Sequence, residues 1–389
     1  MKLHRLCCFL ITVIALVSAE ARAQVLDALW AGGLGTGTGA VGWMSGDMDG
    51  DGRTDIFHPW NNNGALGLIV YRSTGTSYSV SFSNSNMGQG PWALAWLTGD
   101  MDGDGRTDIL QPWNNNGALG LIVYRSTGAG YTTAFSSSNM GAGSPALAWR
   151  TGDADGDGRT DLIQLWNNNG WLGLTVFRST GTGYALWFNN PNMGQGSYAR
   201  AWLTGDMDGD GRTDIFQPWN NNGTLGLIAY RATGTGYATA FVTSNMGQGS
   251  GAFAWLVGDM DGDGRSDIFQ PFNNSGGALG LIVYRSSGTD FATAFASGNI
   301  GAGSGSAIWQ TGDLNGDGRT DILQGRKHDW TDINVYLSNG ASYSFLDTYS
   351  TFDPQVIWLM GSFDGGPREA LLHPLPYEGE SVLIVYGLK

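Results

Sequence analysis

Beyond residue 23 the sequence holds no cysteine; its two, Cys7 and Cys8, both lie in the opening segment. That segment reads as an address. Lys2 and Arg5 form a basic start, residues 10–17 an apolar core, and Ala21-Arg22-Ala23 a small-x-small cleavage signal before Gln24. The expectation is a signal peptide cleaved after Ala23 and a secreted, extracellular mature chain of residues 24–389. Cys7 and Cys8 stand too early to be the lipid-attachment cysteine of a lipoprotein. A mature chain without thiols forms no disulfide, although an oxidising compartment offers them, so another kind of cross-link is called for. Other scarcities exclude further classes. No later apolar run is long enough for a membrane span. Charged residues are only 14% of the chain and the net charge is -14, which argues against nucleic acid as a partner. The mature chain has three histidines, His58, His328 and His373, and shows no serine-histidine-aspartate arrangement, phosphate loop or zinc spacing.

What is abundant is glycine, 63 residues, with 12% aromatics, a composition of turn-rich β-structure. It is organised as a repeat. Gly-Asp pairs begin at Gly46, Gly99, Gly152, Gly205, Gly258 and Gly312, and a worn seventh copy begins at Gly361. A tryptophan stands three residues before each of these glycines: Trp43, Trp96, Trp149, Trp202, Trp255, Trp309 and Trp358. The seventh unit keeps its tryptophan and loses its aspartates, so the tryptophan is read as packing. Each unit also reads as four short strands divided by turn signals; in the second these are 93–98, 107–113, 119–125 and 131–136. Seven units of four antiparallel strands predict an all-β, seven-bladed β-propeller forming a single domain over residues 24–389. The last unit stops at its third strand, 381–386, while 25–31 precedes the first unit as an orphan strand. Their pairing would close the ring and remove free edges.

The first acidic loop places carboxylates at positions one, three, five and nine: Asp47, Asp49, Asp51 and Asp55, with the main-chain carbonyl of Arg53 at position seven. Glycines permit the tight turn. Oxygen-only ligation with several carboxylates suits calcium better than magnesium, which keeps more water, or zinc, which prefers nitrogen and sulfur. The alternative is a solvated acidic turn, but four uncompensated carboxylates within a few ångströms repel strongly.

Asp-x-Asp-Gly-Asp-Gly-Arg-x-Asp between two strands, recurring through nearly the whole mature chain, resembles the FG-GAP or VCBS repeat of integrin α-subunit propellers and of secreted bacterial and fungal proteins, seven-bladed lectins among them. Carried over position by position, the resemblance implies calcium at Asp47, Asp49, Asp51, Arg53 and Asp55; at Asp100, Asp102, Asp104, Arg106 and Asp108; at Asp153, Asp155, Asp157, Arg159 and Asp161; at Asp206, Asp208, Asp210, Arg212 and Asp214; and at Asp259, Asp261, Asp263, Arg265 and Asp267. In the sixth loop, Asp313, Asp317, Arg319 and Asp321 stand with Asn315, which keeps an oxygen and drops a charge. The seventh has Ser362, Gly366 and Ala370 at positions one, five and nine and is expected to be empty. The resemblance implies about six Ca2+ ions in a structural role. The leader removes three basic residues and one acidic one, so the mature chain carries -16, which six divalent ions would bring near -4.

Four-stranded antiparallel blades put the acidic loops on one face and the loops joining strands two and three on the other. There lie "PWNNNG" or "LWNNNG", giving Trp60, Asn61, Asn62; Trp113, Asn114, Asn115; Trp166, Asn167, Asn168; and Trp219, Asn220, Asn221, with Phe272 in the fifth unit. Gln89, Gln195 and Gln248 of the "NMGQG" loops share that face. Planar amides can bond paired hydroxyls while an indole stacks on a sugar ring, so the expected partners are glycans or glycoconjugates, bound at several equivalent sites. Hairpin-turn chemistry and blade-to-blade packing are the alternatives for these residues. A protein-binding or adhesion module fits the same fold. An enzyme, a polysaccharide lyase or hydrolase, would have to use the one charged stretch that breaks the repeat, Arg326, Lys327 and His328. The expectation is no enzyme and no catalytic residue. His58 occupies a slot filled elsewhere by Gln111, Gln164, Gln217 and Gln270, and the arginines after strand three, Arg72, Arg125, Arg178, Arg231 and Arg285, are read as ion-paired surface residues without chemistry.

Overall fold

The computed structural model describes residues 26–35, 42–88, 93–141, 146–194, 199–247, 252–303, 306–327, 331–351, 357–377 and 380–388. Strands carry almost all of it, grouped in seven four-stranded antiparallel sheets, with one 3-10 turn at Ser275–Gly277. The first blade shows the pattern. Its strands are Met44–Gly46, Asp55–Asn62, Ala65–Ser73 and Tyr78–Asn84, paired in chain order. The first and fourth strands are the edges of the sheet, and the first strands of neighbouring blades meet around the ring. As the apolar runs of both faces require, the second and third strands are buried along most of their length, sandwiched between neighbouring sheets. The core between the second and third blades combines Met101, Leu110, Leu121 and Val123 of one with Trp149, Leu162, Phe177 and Tyr184 of the next. All seven tryptophans before the Gly-Asp pairs join such inter-blade clusters.

The ring closes as the chain ends predicted. Leu26–Gly35 pairs with Glu380–Leu388, from Leu26 opposite Leu388 to Gly35 opposite Ser381, so the N-terminal strand is the fourth strand of the seventh sheet. It runs four residues beyond the expected 25–31.

The innermost strand departs from the reading. It spans three residues in five blades, such as Leu97–Gly99, and seven in two, Ala146–Gly152 and Ser306–Gly312. The cause is a bulge. In the third blade Ala146 faces Trp166 and Ala148 faces Leu165, leaving Leu147 between them; in the second, Ala93 still bridges to Trp113 and Leu94 donates its N–H to the Pro112 carbonyl at 2.8 Å. Leu94, Leu147 and Phe253 occupy this bulge and are exposed.

A polar slot lies at the middle of each second strand. Gln217, Gln270 and Gln324 accept the hydroxyl of a third-strand tyrosine at 2.9, 2.9 and 3.0 Å. In the first blade the slot holds His58, 1% exposed, stacked on Trp43 at 4.2 Å with neither ring nitrogen hydrogen-bonded, and Tyr71 turns its hydroxyl to the Leu34 carbonyl. Burial lowers the imidazole to about 4. The unfolded chain therefore binds a proton between roughly pH 6.5 and 4 that the folded chain refuses, so stability falls as pH drops through that window. On going from pH 7 to 4 wild type should lose about 3 kcal/mol more stability than His58→Gln does, read from denaturant melts at both pH values. Parallel pH curves for the two proteins would show that His58 titrates normally.

Candidate functional site

Each acidic loop is built by its own side chains. Asp47 takes the N–H groups of Gly50 and Gly52 at 2.7 Å and that of Asp51 at 3.2 Å, which folds the glycine-punctuated turn onto its carboxylate. Gly50 and Gly52 sit at φ of +78° and +82°, the left-handed region that glycine enters freely. Asp55, fully buried, accepts from Met48 at 2.9 Å and from Ser73 at 2.8 Å, tying the loop to the end of the third strand. Burial pushes its carboxyl up to about 7 against those two N–H groups, with Asp49 and Asp47 adding to the rise. Five equivalents, Asp108, Asp161, Asp214, Asp267 and Asp321, share this environment and the same shift.

Carboxylate oxygens converge within 4.8 Å of one another in five loops. The trio is positions one, three and nine in the first three: Asp47, Asp49, Asp55; Asp100, Asp102, Asp108; and Asp153, Asp155, Asp161. In the fourth and fifth it is positions one, three and five: Asp206, Asp208, Asp210 and Asp259, Asp261, Asp263. Asp51, Asp104 and Asp157 lie outside their trios, each paired with the arginine at position seven of its own loop, Arg53, Arg106 or Arg159. The sixth loop keeps the fold of the others, with Asp313 gathering Gly316 and Gly318, and Asn315 turned to Asp317.

These residues fit a cation. At position three, Oδ1 of Asp49, Asp102, Asp208 and Asp261 is buried with no hydrogen-bond partner, an expensive arrangement for an ionised oxygen that a metal ion would relieve. The clusters can thus hold metal ions. Of the four carboxylate positions the seventh loop keeps only position three, Asp364, exposed, and has a phenylalanine at position two, Phe363, stacked on Tyr78 at 5.6 Å.

One feature escaped the sequence reading. The arginines expected after the third strand are its penultimate residues; they are ion-paired, as expected, but each partner is the position-three aspartate: Arg72 with Asp49 at 2.7 Å, Arg125 with Asp102 at 3.1 Å, Arg178 with Asp155 at 3.1 Å, Arg231 with Asp208 at 3.2 Å and Arg285 with Asp261 at 2.8 Å. The constant separation of 23 or 24 residues was the available signal.

Loops of adjacent blades are latched together. Thr107 donates its N–H to the Asp47 carbonyl at 2.6 Å, and its hydroxyl accepts the Asp47 N–H at 2.8 Å. The backbone bond recurs at all seven junctions, through Thr54, Thr107, Thr160, Thr213, Ser266, Thr320 and Glu369.

At the opposite end of the first blade, Asn63 and Gly64 form a two-residue hairpin with φ of +48° and +95°, the type I′ turn that asparagine and glycine favour, and Asn116, Asn169 and Asn222 repeat it in the next three. Asn61 accepts the Gly64 N–H at 2.9 Å and Asn62 donates to the Ser85 carbonyl at 2.9 Å; Asn114, Asn115, Asn167, Asn168, Asn220 and Asn221 repeat these bonds. The first amide of each pair therefore commits its oxygen to the turn, and the second commits its nitrogen to the segment after the fourth strand. The strand-end aromatics Trp60, Trp113, Trp166, Trp219 and Phe272 are half-buried, each lying across a third-strand glycine: Gly67, Gly120, Gly173, Gly226 or Gly280. A Cβ on Gly120 would sit 2.1 Å from the Trp113 indole. The two blades without the aromatic also lack the glycine, having Arg326 opposite Asp332 and Leu375 opposite Val382. Nε1 of Trp113 and of Trp219 is buried without a partner, whereas Trp166 donates to Thr175 at 3.1 Å. Beside the third hairpin, Trp171 is 45% exposed, an indole that the repeat pattern concealed because its counterparts are Ala65, Ala118, Thr224 and Ala278. Gln89, Gln195, Gln248 and His328 lie outside the described residues. Of the charged stretch, Arg326 and Lys327 end the second strand of the sixth blade.

A family model described as FG-GAP-like repeat matches residues 47–111 and 206–270, each match running from one acidic loop into the next blade. A comparison with curated proteins gave no match. Among solved structures, a lectin of Agrocybe aegerita that recognises non-reducing terminal N-acetylglucosamine is 21% identical, with 85% of this chain and 83% of that one covered and a TM-score of 0.58. A protein from Lactobacillus plantarum is 10% identical over 85% and 93%, at a TM-score of 0.50. An exotype rhamnogalacturonan lyase is 13% identical over 85% and 87%, at 0.36. The first two likenesses speak to fold alone, and the third is too distant to carry an argument.

Two outcomes follow from this geometry. Thr107→Val leaves the Asp47 N–H at the junction unpaired and should cost about 1–2 kcal/mol in a thermal melt; an unchanged melt would mean the latch is idle. Gly120→Ala forces the Trp113 indole off the sheet and should destabilise by about 2 kcal/mol, with stability partly restored by Trp113→Leu in the same chain. Full stability of the single variant would show that the indole packs elsewhere.

Proposed function

The chain carries FG-GAP-like repeats closed into a seven-bladed propeller, and from that premise we propose a secreted, calcium-stabilised protein that binds carbohydrate on its hairpin face. The mature protein, residues 24–389, is a single propeller. The acidic loops take calcium, one ion in each of the first six, through Asp or Asn side chains at positions one, three, five and nine and the position-seven carbonyl. Bound calcium supplies positive charge at the junctions between blades. At an affinity of roughly 0.1 mM, millimolar calcium stabilises the fold by about 1.4 kcal/mol per site, the cross-link that a cysteine-free chain otherwise lacks.

The observation that carries the carbohydrate reading is the exposed indole of Trp171 beside an amide hairpin, on a face where five half-buried aromatics recur at the ends of the second strands. Indole and amide together suit a neutral sugar, and repetition on one rigid disc turns weak sites into avidity on a glycan-covered surface. The bulge residues Leu94, Leu147 and Phe253, apolar and exposed at the innermost strands, favour a second reading, a protein-binding module.

A glycan array in millimolar calcium, paired with thermal melts with and without chelator, separates the two. The lectin reading expects binding to a narrow set of glycans and a melting temperature that drops in chelator. Trp171→Ala should then weaken binding several-fold without moving the melt. A blank array, with a melt that still depends on calcium, overturns carbohydrate binding and leaves the protein-binding module.

A further inference from the structure

The arginine at the end of the third strand and the residue at loop position three change together through the first six blades. Five blades have arginine and aspartate. The sixth has Leu337 and Asn315 instead; the seventh, whose loop has lost its carboxylates at positions one, five and nine, breaks the pairing, with Asp364 at position three and Gly387 in the strand. The charges then agree. In the first loop four carboxylates meet two guanidinium groups, Arg53 and Arg72, a net charge of -2, and the next four loops repeat this. The sixth reaches the same -2 with three carboxylates, Asp313, Asp317 and Asp321, and one guanidinium, Arg319. Glu369 of the seventh loop accepts the Asp313 N–H at 2.9 Å from the neighbouring blade and stands outside this count of each blade's own formal charges.

We infer that Arg72, Arg125, Arg178, Arg231 and Arg285 set the charge of their acidic loops, so that each loop is neutralised by one divalent cation. Resting on the calcium reading above, this gives the arginine two effects. Asp49 divides its oxygens: Oδ2 pairs with Arg72, while Oδ1 is left buried and without a hydrogen-bond partner. The guanidinium also offsets carboxylate repulsion before the ion arrives and opposes the ion afterwards, which holds affinity below what four carboxylates would otherwise reach. The sixth loop solves the same problem by omitting one charge of each sign.

Calcium calorimetry on the chelator-stripped, full mature chain tests it, with the five arginines changed together. Arg→Leu should tighten calcium binding at those loops by about tenfold, the screened effect of one charge near a divalent ion. Arg→Lys, which keeps the charge, should leave the affinity unchanged. Arg→Leu combined with Asp→Asn at position three of the same loops reproduces the sixth blade and should restore wild-type affinity. Calcium uptake with no tightening in the leucine protein, or equal tightening in the lysine protein, overturns the inference alone. If the leucine protein fails to fold without calcium, the combined protein decides: wild-type affinity supports charge setting, and clearly weaker binding overturns it. No calcium uptake by the wild-type protein would instead remove the metal reading on which this rests.

Discussion

Each blade is held to the next at the first residue of its acidic loop. Asp47 gives its carbonyl to the Thr107 N–H and its own N–H to the Thr107 hydroxyl, and the backbone bond recurs around all seven junctions, the seventh loop included. Because the same residue's carboxylate folds the glycine turn behind it, loop shape and ring closure are one problem. The buried aspartate at position nine extends the coupling inward: Asp55 fastens the loop to the third strand, so a disturbance of the loop reaches the apolar layers between sheets. Inter-sheet packing supplies the bulk of the burial, and directional bonds at the loops add a geometric constraint between neighbouring blades.

This arrangement concentrates charge where the blades meet. Carboxylates crowd at a half-buried junction that is sustainable only with compensation, and the protein provides it from two directions: arginine at position seven pairs with position five, and arginine from the third strand pairs with position three. Oxygens that remain unpaired after both are the ones a cation would claim. The opposite ends of the strands carry no such burden. There the type I′ hairpins and the docked loops, with Leu66 donating to the Gly88 carbonyl and Met87 to the Leu66 carbonyl at the edge of the third strand, leave an amide-rich surface on the first four blades. One face supports and the other is free to vary, as Trp171 and the Arg326–Lys327 stretch do.

Much of this was legible because it recurs. Seven tryptophans and six aspartate loops at nearly constant spacing gave blade number, strand order and the closing strand, and the four-carboxylate pattern marked the acidic loops, in five of which carboxylate oxygens converge. The single extra residue between the fifth and sixth units proved to be a longer hairpin, where the turn Ser275–Gly277 replaces Asn-Gly. The innermost strand was less legible, since a bulge interrupts pairing without changing the alternation of residues around it. The hairpin amides were ambiguous in principle: Asn61 serves the turn and Asn62 ties it to the segment after the fourth strand, roles that composition cannot distinguish from ligand binding.

What the sequence by itself determined is therefore the repeated unit, because periodicity, turn residues and carboxylate spacing are local properties written into each copy. What only the tertiary structure decided is how side chains distant in the chain spend their bonds: that Arg72 reaches Asp49, that Trp60 lies across Gly67, and that Thr107 latches onto the blade before it. These pairings depend on the twist of each sheet and the angle between sheets, which emerge only when all seven blades pack at once and no single repeat can bury its faces alone.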